Sequence, residues 1–309
     1  MTRVRDLVGY GGNRPDIVWP NGARVAISLS LNFEEGAELS IEQGDVETER
    51  FGEVLSVQPP GVRDLVQEEV FDYGMRVGLW RFLDTFARHR MPAALMMCGR
   101  AVERAPELAR AAVEAGHEPV AHGWRWIAQS LFRDPQDEKR DIIRTRAEIL
   151  RATGVEPVGY LTRGGETPWT RDLLAELGFL YDSSALNDDL PYWAACADGR
   201  SMLVLPYAFD TNDMKYFNPN GFRRPDDFAV YALAAVDTLI TEARRGRSSM
   251  LTIGFHLRIS GRPARFSAVE AILDRLSALD GEVWVATRRA IASHFAATVA
   301  RATSARSET

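Results

Sequence analysis

Residues 25–36 read VAISLSLNFEEG, an apolar and β-branched run that ends in two carboxylates and a glycine. Such a run is typical of a buried strand in a parallel sheet. Farther along the chain, short apolar runs alternate with amphipathic helical patterns, which indicates β-α units. Further strands are predicted at residues 93–98, 118–122, 158–162, 179–182, 202–206, 250–256 and 282–286, and helices at 77–89, 103–115, 136–153, 169–177, 226–245, 264–279 and 288–300.

Seven or eight β-α units in one chain predict an α/β fold with a closed or nearly closed barrel. An open, doubly wound sheet is the alternative, because alternation does not reveal strand order. The polar stretch 37–69 predicts a long loop with some helix. We expect residues 1–301 to form a single domain with an N-terminal extension, and residues 302–309 to form a disordered tail.

The bulk composition favours an enzyme that acts on a small molecule. The 309 residues are 46% hydrophobic and 26% charged, as in ordinary globular domains. A net charge of −6 argues against nucleic acid or a membrane surface as a partner. The two cysteines lack metal-site spacing, the N-terminal residues lack an apolar leader, and no apolar run reaches the roughly 18 residues of a membrane span. We therefore expect a cytoplasmic protein.

Reactive side chains follow several of the predicted strands: Glu34 and Glu35, His122, Arg163 and His256. The loops after parallel barrel strands share one face, so these groups are expected to lie close together. The adjacent carboxylates suit a general base and a second group that positions water, substrate or metal, although a solvated acidic turn has the same pattern. His256 suits a general acid, but both histidines could equally be hydrogen-bonded structural residues.

Seven segments in order along the chain carry a resemblance to a known family. They are residues 6–38, 70–86, 121–127, 158–174, 178–193, 205–217 and 254–265. With them the chain resembles the NodB-type polysaccharide deacetylase superfamily, and within it the branch of PuuE-type allantoinases and related cyclic-amide hydrolases. The resemblance implies a distorted (β/α) barrel with seven or eight strands and hydrolysis of a non-peptide C–N bond.

The chain departs from the metal-dependent members of this superfamily at two places. Those members carry an Asp-Asp pair and a His-x-x-x-His loop that binds zinc, whereas this chain has Glu34-Glu35, and Trp126 stands four residues after His122. An indole cannot bind zinc, so we expect a site that requires no metal or other cofactor. If a metal is bound, as the alternative function requires of zinc, Glu35 and His122 are expected to hold it.

The resemblance also implies individual roles. It assigns the general base to Glu34, oriented by Arg163, and the proton donor to His256, held by Asp213. The side chains that could contact a small substrate are Trp124, Trp126, Tyr160, Trp193, Asn212 and Arg262. Core packing is an equally good interpretation of each aromatic residue.

The expected activity is the opening of a small cyclic amide, such as allantoin, hydantoin or a cyclic imide. One alternative is a metal-dependent N-deacetylase of an acetylated sugar or polysaccharide. Another is a barrel that binds a ligand or partner without catalysis. The resemblance also implies a homo-oligomer, with a tetramer favoured.

Overall fold

The computed structural model describes residues 5–55 and 57–299, in which nine strands form one mixed sheet with helices packed on it. The strands are β1 (Val25–Phe33), β2 (Ala94–Met97), β3 (Glu118–Ala121), β4 (Gly159–Tyr160), β5 (Tyr181–Asp182), β6 (Tyr192–Ala195), β7 (Ser201–Val204), β8 (Ser249–His256) and β9 (Val283–Val285). The helices are α1 (Leu65–Tyr73), α2 (Leu79–His89), α3 (Gly99–Arg104), α4 (Pro106–Glu114), α5 (Pro135–Thr153), α6 (Thr170–Glu176), α7 (Pro225–Ala243), α8 (Pro263–Ser277) and α9 (Arg288–Thr298). The predicted tail, 302–309, lies outside the described residues.

The strand order in the sheet is β6-β7-β5-β4-β3-β2-β1-β8, and β9 pairs with the first residues of β1. Every pairing is parallel except that of β6 with β7. The strands therefore follow one another around the sheet, with β8 beyond β1, and the sheet curls into a half-barrel. This confirms the distorted α/β barrel and excludes the doubly wound alternative, in which the strand order reverses.

Successive side chains of β1 point alternately into two hydrophobic cores. Val25, Ile27 and Leu29 face an outer core beneath the helices. Ala26 instead contributes to an inner core inside the curled sheet. Because side chains alternate with a period of two, the side chain of residue 34 is expected to point inward and that of residue 35 outward.

The open seam between β8 and β7 is crossed by the side chain of Arg288, which is fully buried. Its Nε donates to Ser183 Oγ at 2.8 Å, and its Nη1 donates to Thr252 Oγ1 at 2.7 Å. Its Nη2 donates to the carbonyl oxygen of Leu205 at 2.7 Å. These partners lie on β8 and just after β5 and β7. One guanidinium thus joins β8 to the ends of β5 and β7, with which β8 is not paired in the sheet.

The predicted elements all overlap observed ones, with two corrections. The short edge strand β6 was not predicted, and the helix predicted at 103–115 consists of α3 and α4. Pro106 starts α4, because proline lacks the N–H that a continuous helix needs but fits a first helical turn. Among the described residues, no helix has the length and hydropathy to cross a bilayer.

A five-residue π-helix, Gly74–Gly78, joins α1 to α2 and packs on the turn after β8. A Cβ atom on Gly74 would lie 2.6 Å from Glu35 Oε1. A Cβ atom on Gly78 would clash with the carbonyl oxygen of Leu257. The missing side chains therefore let this helix approach the end of the barrel with its main chain.

Candidate active site

Glu34 directly follows β1, and its carboxylate is the centre of a buried polar cluster. Its Oε1 accepts a hydrogen bond from Arg258 Nη1 at 2.6 Å and lies 3.5 Å from His256 Nε2. Its Oε2 lies 3.7 Å from His122 Nε2 and accepts no hydrogen bond from the described residues. Glu34 and Glu35 are 0% and 2% exposed, so the interpretation as a solvated turn is wrong.

The hydrogen-bond partner of one ring nitrogen of His122 determines where the ring carries its proton. Its Nδ1 lies 2.8 Å from the carbonyl oxygen of Leu161, which can only accept. The proton of a neutral ring therefore sits on Nδ1, and Nε2 keeps a lone pair facing Glu34. The residue directly follows β3 and is 5% exposed.

His256 ends β8 and is held by Asp213. The ring Nδ1 lies 2.6 Å from Asp213 Oδ1, and the backbone N–H donates to Asp213 Oδ2 at 2.8 Å. The same carboxylate accepts a longer bond from the backbone of Ser260, at 3.3 Å. A buried carboxylate on Nδ1 fixes the orientation of the ring and leaves Nε2 to exchange a proton with a substrate.

Arg258 belongs to the same cluster, although the sequence analysis did not select it. Besides Glu34, its Nη1 approaches Glu35 Oε1 at 3.4 Å, and its backbone N–H donates to that oxygen at 3.0 Å. The guanidinium carbon lies 4.3 Å from the ring centroid of Phe71 and 4.7 Å from that of Trp126. The side chain is 1% exposed.

The expectation that Arg163 orients Glu34 is wrong, because the guanidinium bound to that carboxylate is the one of Arg258. Arg163 donates to the carbonyl oxygen of Trp126, pairs with Glu49 at 3.3 Å and stacks on the Trp126 ring. The sequence feature that could have identified Arg258 is its charge within the mainly apolar run LTIGFHLRIS, at residues 251–260.

The two adjacent carboxyl groups differ in their electrostatics. Burial acts to raise the pKa of Glu34, but the neighbouring Arg258, His256 and His122 outweigh it and hold that pKa well below its usual range. For Glu35, burial raises the pKa, and Arg258 only partly offsets the effect of burial and of the Glu34 anion. The environment therefore favours the ionised form more strongly at Glu34 than at Glu35.

The residues named for a possible metal are not arranged as expected. Glu35 binds Arg258, and its Oε2 accepts the backbone N–H of Glu34 at 3.2 Å, whereas the carboxylate beside His122 is that of Glu34. Within residues 5–55 and 57–299, no group of three or more His, Cys, Asp or Glu is placed to hold a metal. Trp126 is packed in the outer core. These donors do not fit the zinc site of the metal-dependent members.

Most of the predicted aromatic contacts are packing contacts. Trp124 stacks with Arg144, whose guanidinium lies 3.4 Å from its ring centroid. Tyr160 packs edge-on against Phe179 in the outer core, and Trp193 packs from edge strand β6 against the inner core. Tyr160 and Trp193 therefore pack with the two cores and Trp124 packs with Arg144, while Trp126 lies against the guanidinium of Arg258.

The two polar residues named for substrate contacts also differ from each other. Asn212 uses both ends of its amide inside the fold: Nδ2 donates to Tyr207 Oη at 2.8 Å, and Oδ1 accepts from the backbone of Met214 at 2.8 Å. Arg262 lies over the ring of Tyr73, 3.8 Å from its centroid, and is partly exposed. Arg262 is therefore the better placed of the two to contact a ligand.

The chain is similar to known proteins along almost its whole length. The family model described as "Polysaccharide deacetylase" matches residues 69–181. A Schizosaccharomyces pombe protein named "Putative polysaccharide deacetylase" is 36% identical over 317 residues, which cover 96% of this chain and 98% of that protein.

Two solved structures are similar over nearly the whole chain. The crystal structure of Puue allantoinase has a TM-score of 0.89 and 39% identity, covering 96% of this chain and 99% of that one. A "probable Polysaccharide deacetylase" from Pseudomonas aeruginosa PAO1 has a TM-score of 0.87 and 40% identity, covering 94% and 97%. The half-barrel, the strand-end cluster and these similarities agree, and the chain belongs to the polysaccharide deacetylase family.

Proposed function

We propose that this protein opens the ring of a small cyclic amide, such as allantoin, hydantoin or a cyclic imide, by hydrolysing a C–N bond. The observation that carries the proposal is the convergence of two imidazole Nε2 atoms on the buried Glu34 carboxylate. Such a pair can serve as base and acid on the two sides of one carbonyl group. The similarity to Puue allantoinase supports a ring amide as the substrate class.

In this proposal, a water molecule is activated between Glu34 and His122. Glu34 Oε2 accepts no hydrogen bond from the described residues and lies 3.7 Å from His122 Nε2. One water molecule can therefore contact both atoms. A carboxylate whose pKa is lowered is a weak base, so Glu34 orients the water and His122 accepts its proton as oxygen attacks the ring carbonyl. This changes the role expected of Glu34 from base to positioning group.

We assign to His256 the protonation of the ring nitrogen as it leaves. Its Nε2 faces Glu34, and the Asp213 carboxylate on Nδ1 fixes the orientation of the ring. When the C–N bond breaks, the Nε2 proton passes to the nitrogen, which leaves as a neutral amide or urea group. The carbonyl carbon becomes a carboxylic acid, which ionises, and no further reactant is needed.

Enclosure of the site favours a small substrate over a polymer chain. Glu34 is 0% exposed, and His122 and His256 are each 5% exposed. A polysaccharide chain needs an open groove along which several sugars can lie, whereas small ligands are mostly enclosed. The rival function, a metal-dependent N-deacetylase, would also need three or more donors placed to hold a metal, an arrangement that the described residues do not have.

A substrate panel tests the proposal. Purified protein is incubated with allantoin, hydantoin, dihydrouracil, succinimide and an N-acetylglucosamine oligomer, each with and without a chelator, and carboxylate or acetate release is measured. We expect turnover of at least one ring compound, unchanged by the chelator. Acetate release that the chelator abolishes would establish the rival, and folded protein inactive on every compound would favour a ligand-binding barrel.

We also propose that the protein works in the cytoplasm, as a homo-oligomer. Both cysteines, Cys98 and Cys196, are buried free thiols, which suits a reducing compartment. Large apolar side chains are exposed in the segment 46–66, which supports a contact between subunits there.

A further inference from the structure

We propose that the Arg258 guanidinium is the permanent cation of this site, in the role that a metal ion has in metal-dependent deacetylases, and that Trp126 helps to hold it. Trp126 stands where the second zinc-binding histidine of those enzymes is expected. This inference concerns the electrostatics of the cluster and does not depend on the ring-opening reaction.

Arg258 already supplies the charge that a metal would bring. Its Nη1 lies 2.6 Å from Glu34 Oε1 and 3.4 Å from Glu35 Oε1, and the side chain is 1% exposed. Charges this close interact strongly where water is excluded. A divalent cation at Glu34 would sit beside a buried guanidinium and be repelled by it.

Two aromatic rings hold the rest of the guanidinium. Its carbon lies 4.3 Å from the Phe71 centroid and 4.7 Å from the Trp126 centroid, and these rings also contact each other edge-on at 5.8 Å. The Nε and Nη2 atoms of Arg258 are buried and donate no hydrogen bond to the described residues. Cation–π contacts therefore replace hydrogen bonds on that side. This gives Trp126 a specific task.

Two pairs of atoms in the cluster have the spacing of metal ligands, although no three donors of the described residues are placed to hold a metal while Arg258 is present. His122 Nε2 and Glu34 Oε2 are 3.7 Å apart, and His256 Nε2 and Glu34 Oε1 are 3.5 Å apart. Two ligand atoms on a tetrahedral zinc ion, at roughly 2.1 Å each, lie about 3.4 Å apart. Removal of the guanidinium should therefore turn a site that rejects metal into one that binds it.

The test is a titration with Co²⁺, a spectroscopic substitute for Zn²⁺, followed by visible absorption. The proteins are the wild type, Arg258→Met, which removes the charge but keeps an unbranched side chain, and Arg258→Lys, which keeps the charge. We expect Arg258→Met to bind one Co²⁺ at least about 100-fold more tightly than the wild type or Arg258→Lys. Adding His122→Ala to Arg258→Met should abolish this binding.

A further variant protects the test against misfolding, since Arg258→Met leaves two buried carboxyl groups without a cation. Arg258→Met with Glu35→Gln removes one of them and retains Glu34, His122 and His256 for the metal. Circular dichroism identifies the folded variants. If a folded Arg258→Met variant binds Co²⁺ no better than the wild type, the inference is overturned. It is equally overturned if the wild type binds one Co²⁺ tightly and His122→Ala abolishes that binding.

Discussion

Arg288 in the seam and Arg258 in the cluster are both buried arginines, but their partners differ in charge. Arg288 donates to hydroxyl and carbonyl oxygens, and burial lowers its pKa. Burial acts in the same direction on Arg258, but Glu34 and Glu35 outweigh it and raise the pKa. The charge of the hydrogen-bond partners, and not burial, therefore separates an arginine that joins strands from one that sets the electrostatics of a site.

The largest effect is expected from Glu34→Gln, which removes the anion to which both imidazoles and Arg258 point. Loss of the water-positioning carboxylate should lower kcat/KM by about 1000-fold, within the range for such groups. Steady-state kinetics on a ring substrate measures this, with Glu47→Gln as the control, because Glu47 forms a partly exposed ion pair. Activity of Glu34→Gln within twofold of the control would remove Glu34 from the mechanism.

Arg288→Met should affect stability instead of chemistry. It leaves Ser183, Thr252 and Leu205 without their buried donor, which should lower the free energy of unfolding by on the order of 4 kcal/mol. Urea denaturation measures the loss, and kcat of the folded variant should stay near the wild-type value. A variant that is as stable as the wild type but inactive would contradict the expectation that Arg288 contributes to stability and not to catalysis.

The pH dependence of stability should also differ between variants of Arg258 and Arg288. The lowered pKa of Glu34 contributes stability above its ordinary value of 4.5, and this is lost as pH falls through the folded-state pKa. The stability difference between wild type and Arg258→Met should therefore shrink as pH decreases below 4.5. The difference for Arg288→Met should change less, since its hydrogen-bond partners are uncharged and Glu118 and Asp182 act on it only as neighbouring charges. Urea denaturation at several pH values measures both differences, and parallel curves would contradict this expectation.

A smaller stability effect is expected at His117, which precedes β3, whereas His122 follows it. Burial lowers the His117 pKa from 6.5 to about 4, and its Nδ1 accepts the backbone N–H of Ala93 at 3.1 Å. The unfolded chain binds the proton first, so stability falls as pH decreases from 6.5 to 4, by about 3 kcal/mol in total. His117→Gln should flatten this slope in thermal unfolding measurements without changing activity. If the slope is unchanged, groups other than His117 cause the pH dependence of stability.

The smallest effect on activity is expected from the exposed apolar segment 46–66. Leu55 and Val57 are 84% and 82% exposed. Combined Leu55→Ser and Val57→Ser should shift the mass measured by light scattering from oligomer toward monomer, while the activity per chain changes little. A wild-type protein that is monomeric at micromolar concentration would contradict the proposed homo-oligomer.

The sequence allowed much of the barrel to be predicted, because apolar strands such as β1 differ from amphipathic helices in period. The edge strand β6 was missed, since a short, partly exposed strand such as YWAA has no clear alternation. The site was harder to predict. Strand ends identified Glu34, His122 and His256, but which face a side chain occupies depends on the curl of the sheet. Tyr160 was therefore assigned to the pocket although it packs outward.

The glycines of the π-helix place main chain, not side chains, behind the carboxyl pair. At Gly74 and Gly78, any added Cβ atom would meet Glu35 or the carbonyl of Leu257. A substitution at either glycine should therefore displace the carboxyl pair or the turn after β8, whatever side chain it introduces. Residues 37–55 and the loop after His122, which contact each other through the Arg125 side chain, carry side chains that can vary instead. Comparing relatives within the family should show variation there and glycine at the positions of Gly74 and Gly78.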